Sequence, residues 1–423
     1  MPGHVRFPNG WCVAIYLCIA VVAGYPTACA ATDRLNPAAA VHLQSTLDRY
    51  LTIEKQGGWP TIPDGPALRV GSSGPLVVRL KERLSATNDL VRVNREFSEF
   101  GGDLSLGVMR FQRRHGLAVD GVVGRVTRAA LNVPVAERIQ QISANLARLR
   151  SLPVRDSKRA IVINVAGFDL NLIEDDKVAF SSPVIVGRSS RPTPALSSVV
   201  TQIVVSPYWY VPWSIAVRDI LPKLKRDPSY LRTQGIRVFR ASGDSRIEVA
   251  ADTVPWQSLG KDNFPYVLVQ DPGPQNALGR VKFFLPNEQD IFVHGTPARE
   301  LFNRTLRAFS SGCIRVARIM ELAEYLLKLE GGDSYRDFSD ALRTGETRRI
   351  KLATPIPIHI VYLTAWADAD GQTHFRDDIY SLDGLAGVRL TSQGNIRRDI
   401  ARASDTVADP ACPATPSAGG LIR

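Results

Sequence analysis

Near residue 158 the spacing of apolar residues changes period, and a chain that changes period once along its length must build two kinds of layer. Upstream the spacing is helical. Val77, Val78, Leu80 and Leu84 give one amphipathic helix, Leu106, Val108, Met109 and Phe111 a second, and Val126, Ala129, Ala130 and Leu131 a third. A longer basic helix follows from Val135 to Leu152, with Ile139, Ile142, Leu146 and Leu149 inward, until Pro153 and the polar run Arg155–Arg159 end it. Downstream the runs are short and strand-like: Ile161–Val165, Asp169–Ile173, Val178–Phe180, Pro183–Gly187 and Val199–Ser206. The spacing therefore predicts a multidomain α+β chain. A small three-helix module spans residues 67–133, a connecting helix and linker 134–157, and a mostly β domain 158–385.

The ends of the chain read differently. His4 and Arg6, the apolar run Trp11–Ala23 and Ala28-Cys29-Ala30 have the arrangement of a signal peptide over residues 1–30, cleaved after Ala30. The run is short for a membrane span, so an exported protein with no stable span after cleavage is expected. Residues 31–66 hold a short helical piece, Ala38 to Tyr50, stopped by Gly57–Pro60, and residues 386–423 form a weakly structured tail. Three of the five cysteines fall in the leader, leaving Cys313 and Cys412, so no disulfide framework is in use. At 44% hydrophobic residues over 423 positions the chain can bury more than one core, which excludes disorder as a whole. The net charge of +11 calls for a polyanion. Without a helix-turn-helix, a zinc-ligand cluster or an Arg-rich run, nucleic acid is not that partner; an anionic wall polymer or membrane surface satisfies the same electrostatics.

The chemistry concentrates between residues 291 and 316. Ile291, Phe292 and Val293 read as a strand delivering His294 to its end. Gly312 permits a tight turn at Cys313, and Ile319, Leu322, Ala323, Leu326 and Leu327 then recur at helical spacing. Cys313 is thus expected just before a helix, its pKa lowered by the helix N-terminus and a nearby imidazole. Arg315, always charged, can pair with a carboxylate through two parallel hydrogen bonds. A lone cysteine or histidine is more often core filling, but the set together reads as acyl transfer through a thioester.

His294-Gly295-Thr296 with Arg307–Arg315 resembles the signature of L,D-transpeptidases with a YkuD-type catalytic domain, in particular the long periplasmic subfamily carrying an N-terminal peptidoglycan-binding domain. The resemblance implies Cys313 as nucleophile, His294 as base and the Gly295 carbonyl as its orienter, with Ser311, Gly312 and Arg315 serving substrate or oxyanion. Ser311 stands where the common form has a second histidine. Phe111–Gly124 resembles the three-helix peptidoglycan-binding type, with His115 as ordinary turn surface. Gly187–Pro194, Pro207–Pro212, Gln270–Phe284 and Asp377–Tyr380 continue the likeness, and residues about 215–261 correspond to a helical cap inserted over the site.

The resemblance implies attack on a peptidoglycan tetrapeptide stem, release of D-alanine and transfer to an amine of a neighbouring stem, making 3-3 cross-links in the wall. Stem peptides and glycan are the implied partners, carbapenems the implied inhibitors, and the periplasm the implied place. No metal or organic cofactor is called for. A carboxypeptidase or protein-anchoring enzyme of the same fold remains open, as does a wall-binding protein without catalysis.

Overall fold

Helix α1 (Pro37–Lys55) opens the part of the computed structural model that is described, which comprises residues 37–90, 98–152, 158–242 and 245–384. The expected leader, Cys412 and the tail from 386 lie outside the described residues. Helices α2 (Pro75–Ala86), α3 (Gly102–Arg114) and α4 (Arg125–Leu131) form the three-helix module. Pro75 starts α2 where its missing N–H costs nothing. The module closes on Leu80, Leu84, Leu104, Val108, Phe111 and Leu131. Three expected inward residues face out: Leu106 is 53% exposed, Val126 62%, and Ala129 is exposed as well. On α3 the buried stripe is Leu104, Val108 and Phe111, so Val108 and Phe111 point inward as expected and Leu104, not Leu106, completes the face. On the short α4 the buried face is Thr127, Arg128 and Leu131, because Arg128 turns inward to donate to the carbonyls of Gly65 and Pro66, each at 2.6 Å.

Helix α5 (Val135–Ser151) packs along α1, so the piece expected to end at Tyr50 is a full partner in a helix pair. Strands β1 (Arg159–Asn164), β2 (Asp169–Glu174), β3 (Lys177–Gly187) and β4 (Leu196–Val205) then begin the main sheet. After β5 (Trp209–Tyr210) the insertion runs through α6 (Trp213–Ile215), a π-helical turn (Ala216–Ile220), α7 (Leu221–Arg226) and α8 (Tyr230–Thr233). It continues through β6 (Ile236–Ser242), β7 (Ser245–Val249) and β8 (Tyr266–Gln270). The cap thus has its expected helices and, beyond that expectation, a four-stranded antiparallel sheet in the order β5-β8-β6-β7. It carries its own core, with Val217, Ile220, Leu224, Leu231, Trp256 and Leu268 among the buried residues.

The main sheet resumes with β9 (Val281–Phe284), β10 (Val293–His294), β11 (Ala308–Ser310) and β12 (Ile314–Val316). Helices α9 (Ile319–Glu330) and α10 (Ser334–Thr344) precede β13 (Arg348–Val361), and the hairpin β14 (Ala365–Ala367)–β15 (Thr373–Phe375) follows. The strand order is β11-β3-β12-β10-β9-β4-β13-β1-β2, and β2 also pairs with β3, so the sheet curls until β3 joins both ends. The two runs expected around Phe180 and Pro183 are one strand. Pro183, which cannot donate to a ladder, sits where β3 leaves β2 for β12. Ile319, Leu322, Ala323, Leu326 and Leu327 of α9 fill the concave side together with Phe338 and Ala341 of α10, as the helical spacing requires.

The module is not hung on a bare linker. Leu43 and Tyr50 of α1 and Ile142 and Leu146 of α5 share a core with Ala365, Ala367 and Phe375 of the hairpin. Asn145 exchanges hydrogen bonds with Thr364, donating to its Oγ1 at 2.7 Å and accepting from its N–H at 2.9 Å. His115, expected as turn surface, is 8% exposed and stacks between Phe111, at 3.8 Å, and Phe375, at 5.3 Å. Burial and the neighbouring Arg114 hold its pKa well below the ordinary value, so it packs as a neutral ring.

Candidate active site

Two short strands, the turn before β12 and Gly295, which directly follows β10, carry the residues singled out in the sequence. β10 lies between β9 and β12: His294 is opposite Lys282 on one side and opposite Arg315, in parallel register, on the other. The histidine is 5% exposed and its Nδ1 lies 2.6 Å from the Gly295 carbonyl. The expected orienting carbonyl is therefore in contact with the ring, and the Leu278 carbonyl adds a second contact. Burial, then the positive charge of Arg315, push the imidazole pKa down to about 3 against the pull of the Gly295 carbonyl. A neutral imidazole at ordinary pH follows.

Cys313 differs from its expected setting. It ends the turn before β12 and does not precede a helix directly; α9 starts only at Ile319, after Ile314 and Val316 have alternated inward as a strand does. A helix N-terminus therefore does not act on the thiol. The half-buried Cys313 has its pKa raised, burial outweighing the lowering effects of the Phe292 backbone and of Lys282 and Arg315. The expected depressed thiol is corrected to a resting thiol, with Sγ 3.7 Å from the Asp290 carbonyl. The Ile314 N–H donates to the Phe292 carbonyl at 2.9 Å, which ties the start of β12 to the approach of β10.

The turn before Cys313 is held from several sides. Gly312 has φ +117°, and a Cβ there would meet Ile291 Cδ1 at 3.2 Å, so glycine is the residue that fits. Ser310 Oγ donates to the Cys313 carbonyl at 2.5 Å and accepts from the Gly312 N–H at 3.2 Å. Thr193 Oγ1 donates to the Gly312 carbonyl at 2.6 Å and accepts from the Gly187 N–H at 2.8 Å. Tyr380 in turn donates to the Gly187 carbonyl at 2.6 Å and accepts from the Thr193 N–H at 3.1 Å. Thr193 and Tyr380 lie within Gly187–Pro194 and Asp377–Tyr380, but no local spacing ties either to the turn.

Ser311 is not isolated either. Its Oγ accepts from Arg188 at 3.0 Å and from Arg191 at 2.9 Å, and both guanidiniums also reach Asp219 of the insertion. Arg315 has a buried Nε with no hydrogen-bond partner among the described residues, so the carboxylate expected for it is not supplied there. Among the described residues no group of three His, Cys, Asp or Glu side chains is placed to hold a metal ion. Chemically the site offers a thiol, a neutral base and several cations beside a turn of fixed shape.

Residues 158–358 match the family model described as L,D-transpeptidase catalytic domain, YkuD, and residues 73–131 the one described as "Putative peptidoglycan binding domain". A curated relative from Haemophilus influenzae, described as "Putative L,D-transpeptidase", is 35% identical over 244 residues, which is 58% of this chain and 48% of the relative. The match thus spans about half the length of that relative. The solved L,D-transpeptidase (residues 123-326) from Xylanimonas cellulosilytica aligns at 18% identity over 71% of this chain and 99% of that one, with a TM-score of 0.23. The L,D-transpeptidase from Stackebrandtia nassauensis aligns at 11% identity over 71% and 96%, with a TM-score of 0.26. Overlaps that low add nothing to the assignment, which rests on the family models. The chain carries a catalytic domain of the YkuD family of L,D-transpeptidases, preceded by a domain of a peptidoglycan-binding family.

Proposed function

We propose that the protein forms a thioester between Cys313 and a peptidoglycan tetrapeptide stem, expels the terminal D-alanine, and passes the acyl group to an amine of a neighbouring stem to make a 3-3 cross-link. The single observation that supports this most is the adjacency of β10 and β12, which sets the buried, neutral imidazole of His294 beside the strand that directly follows Cys313. A neutral imidazole can take the thiol proton as sulfur attacks the carbonyl, then return it to the leaving amine. Because thiol and imidazole both rest uncharged, the ion pair forms only as the reaction proceeds, and Arg315 and Lys282 favour the thiolate side of that transfer. With the Gly312 N–H turned back to Ser310, the Cys313 N–H is the backbone donor we assign to the oxyanion. Gly295 orients His294, and Ser311, Gly312 and Arg315 shape the acyl site.

In the same reading the leader exports the chain to the periplasm, and the module binds wall glycan or stem peptide. Carbapenems, as strained acyl donors, acylate Cys313. No helix among the described residues is long and apolar enough to cross a membrane. The test is incubation of the purified protein with disaccharide-tetrapeptide, followed by mass spectrometry of the products. Dimeric muropeptide with free D-alanine is expected. Disaccharide-tripeptide alone would reassign the protein to hydrolysis, and unchanged substrate with a folded protein would contradict both.

A further inference from the structure

Positive charge collects around Cys313. Lys282 and Arg315 both act electrostatically on the thiol, Arg188 acts on Arg315, and Arg191 stands beside Arg188 on the Gly187–Thr193 connection. The carboxylates facing this group are Asp290, which acts on Lys282, and Asp219. Guanidiniums do not shed their charge, so the excess calls for another anion. Two observations mark where it binds. The buried Nε atoms of Arg188 and Arg315 have no hydrogen-bond partner among the described residues. Arg191 grips Asp219 with both of its terminal nitrogens, one to each carboxylate oxygen, the fork-to-fork geometry by which arginine takes a free carboxylate.

Asp219 does not belong to the sheet that holds the site. It projects from the π-helical turn of the insertion, which has its own core, and it is 31% exposed, so an incoming group can reach it. We propose that Arg188 and Arg191 form the binding site for the free carboxylate at the end of the acyl-donor peptide, and that Asp219 fills this site in the resting protein as an internal stand-in. The identity of the peptide rests on the transpeptidase reading. The donor's carboxylate replaces Asp219 and frees the insertion from the turn. Because both arginines also donate to Ser311 Oγ, the exchange is passed directly to the turn that carries Cys313.

The test measures calorimetric binding of the stem tetrapeptide and of its C-terminal amide to the full chain carrying Cys313→Ala, alone and with a second substitution, alongside D-alanine release by the unmodified protein. The free acid is expected to bind at least tenfold more tightly than the amide. Arg191→Gln should bring that ratio close to one. Asp219→Asn, by removing the competitor, should tighten the acid threefold or more and leave the amide within twofold. Equal binding of acid and amide, binding of neither, or weaker acid binding in Asp219→Asn overturns the proposal; should Arg191→Gln fail to fold, the Asp219→Asn arm decides alone. Acid-selective binding without D-alanine release would sink the transpeptidase reading and leave the carboxylate site standing, whereas turnover without acid selectivity does the reverse.

Discussion

His294 and Arg315 face each other across the parallel β10–β12 ladder, so the proposed base sits beside a permanent positive charge. That neighbour, added to burial, keeps the ring neutral far into the acid range. Arg315→Gln removes the charge but leaves the burial, so the His294 pKa should rise part of the way back from about 3. The acid limb of the kcat/KM profile moves to higher pH, and activity at neutral pH falls by about tenfold or more through the lost thiolate stabilisation. A pH–rate series on both proteins checks this; an unmoved acid limb would contradict it.

Acid stability carries the same signature. The folded His294 titrates near 3 and an unfolded histidine near 6.5, so between those values the unfolded chain binds a proton that the folded chain refuses. This contribution is complete above pH 6.5 and is lost as pH falls towards 3. It amounts to about 2–3 kcal/mol between pH 6.5 and 4.5. His294→Gln should flatten the fall in urea midpoint between pH 7 and 4.5 by about that amount. Equal slopes in the two proteins would count against a buried neutral ring.

Thr193 offers a test of the turn. Its hydroxyl donates to the Gly312 carbonyl and accepts from the Gly187 N–H. Thr193→Val keeps the volume and leaves two buried backbone groups unpaired, at a cost of about 1–3 kcal/mol each. The expected result is a drop in kcat of about tenfold or more with KM changed little, and a lowered melting temperature.

Phe375 joins the module to the catalytic domain through Tyr50 and His115. Phe375→Ala should cost about 3–5 kcal/mol and split one calorimetric transition into two, because the α1–α5 pair and the hairpin share that ring. A single transition shifted as a whole would show that the interface does not depend on it.

How much of this could be read beforehand depends on distance along the chain. The inward face of α9 was legible because five apolar residues recur within three turns and nothing remote competes. The residues of the candidate site could be singled out because they cluster in two short motifs. The strand between Cys313 and α9 was not: β12 has three residues, too few for a period to declare itself, and without it the thiol appears to cap a helix. His115 looked like a turn because its burial is supplied by Phe375, from the far end of the catalytic domain. The sheet of the insertion was hidden for a different reason. β7 is largely exposed, and Ile247 and Val249 are the two apolar residues in its five, too short an alternation to mark a strand. The contacts joining Asp219 to Arg188, Arg191 and Ser311 span three separate segments, and no local spacing encodes them.

The central claim is that Cys313 becomes acylated. Intact-protein mass spectrometry of the full chain, quenched in acid within seconds of mixing with disaccharide-tetrapeptide, tests it most directly. The account predicts an adduct of the substrate mass less D-alanine, mapped to Cys313 and absent from Cys313→Ala. Product formed with no adduct, or by Cys313→Ala at an undiminished rate, would contradict it.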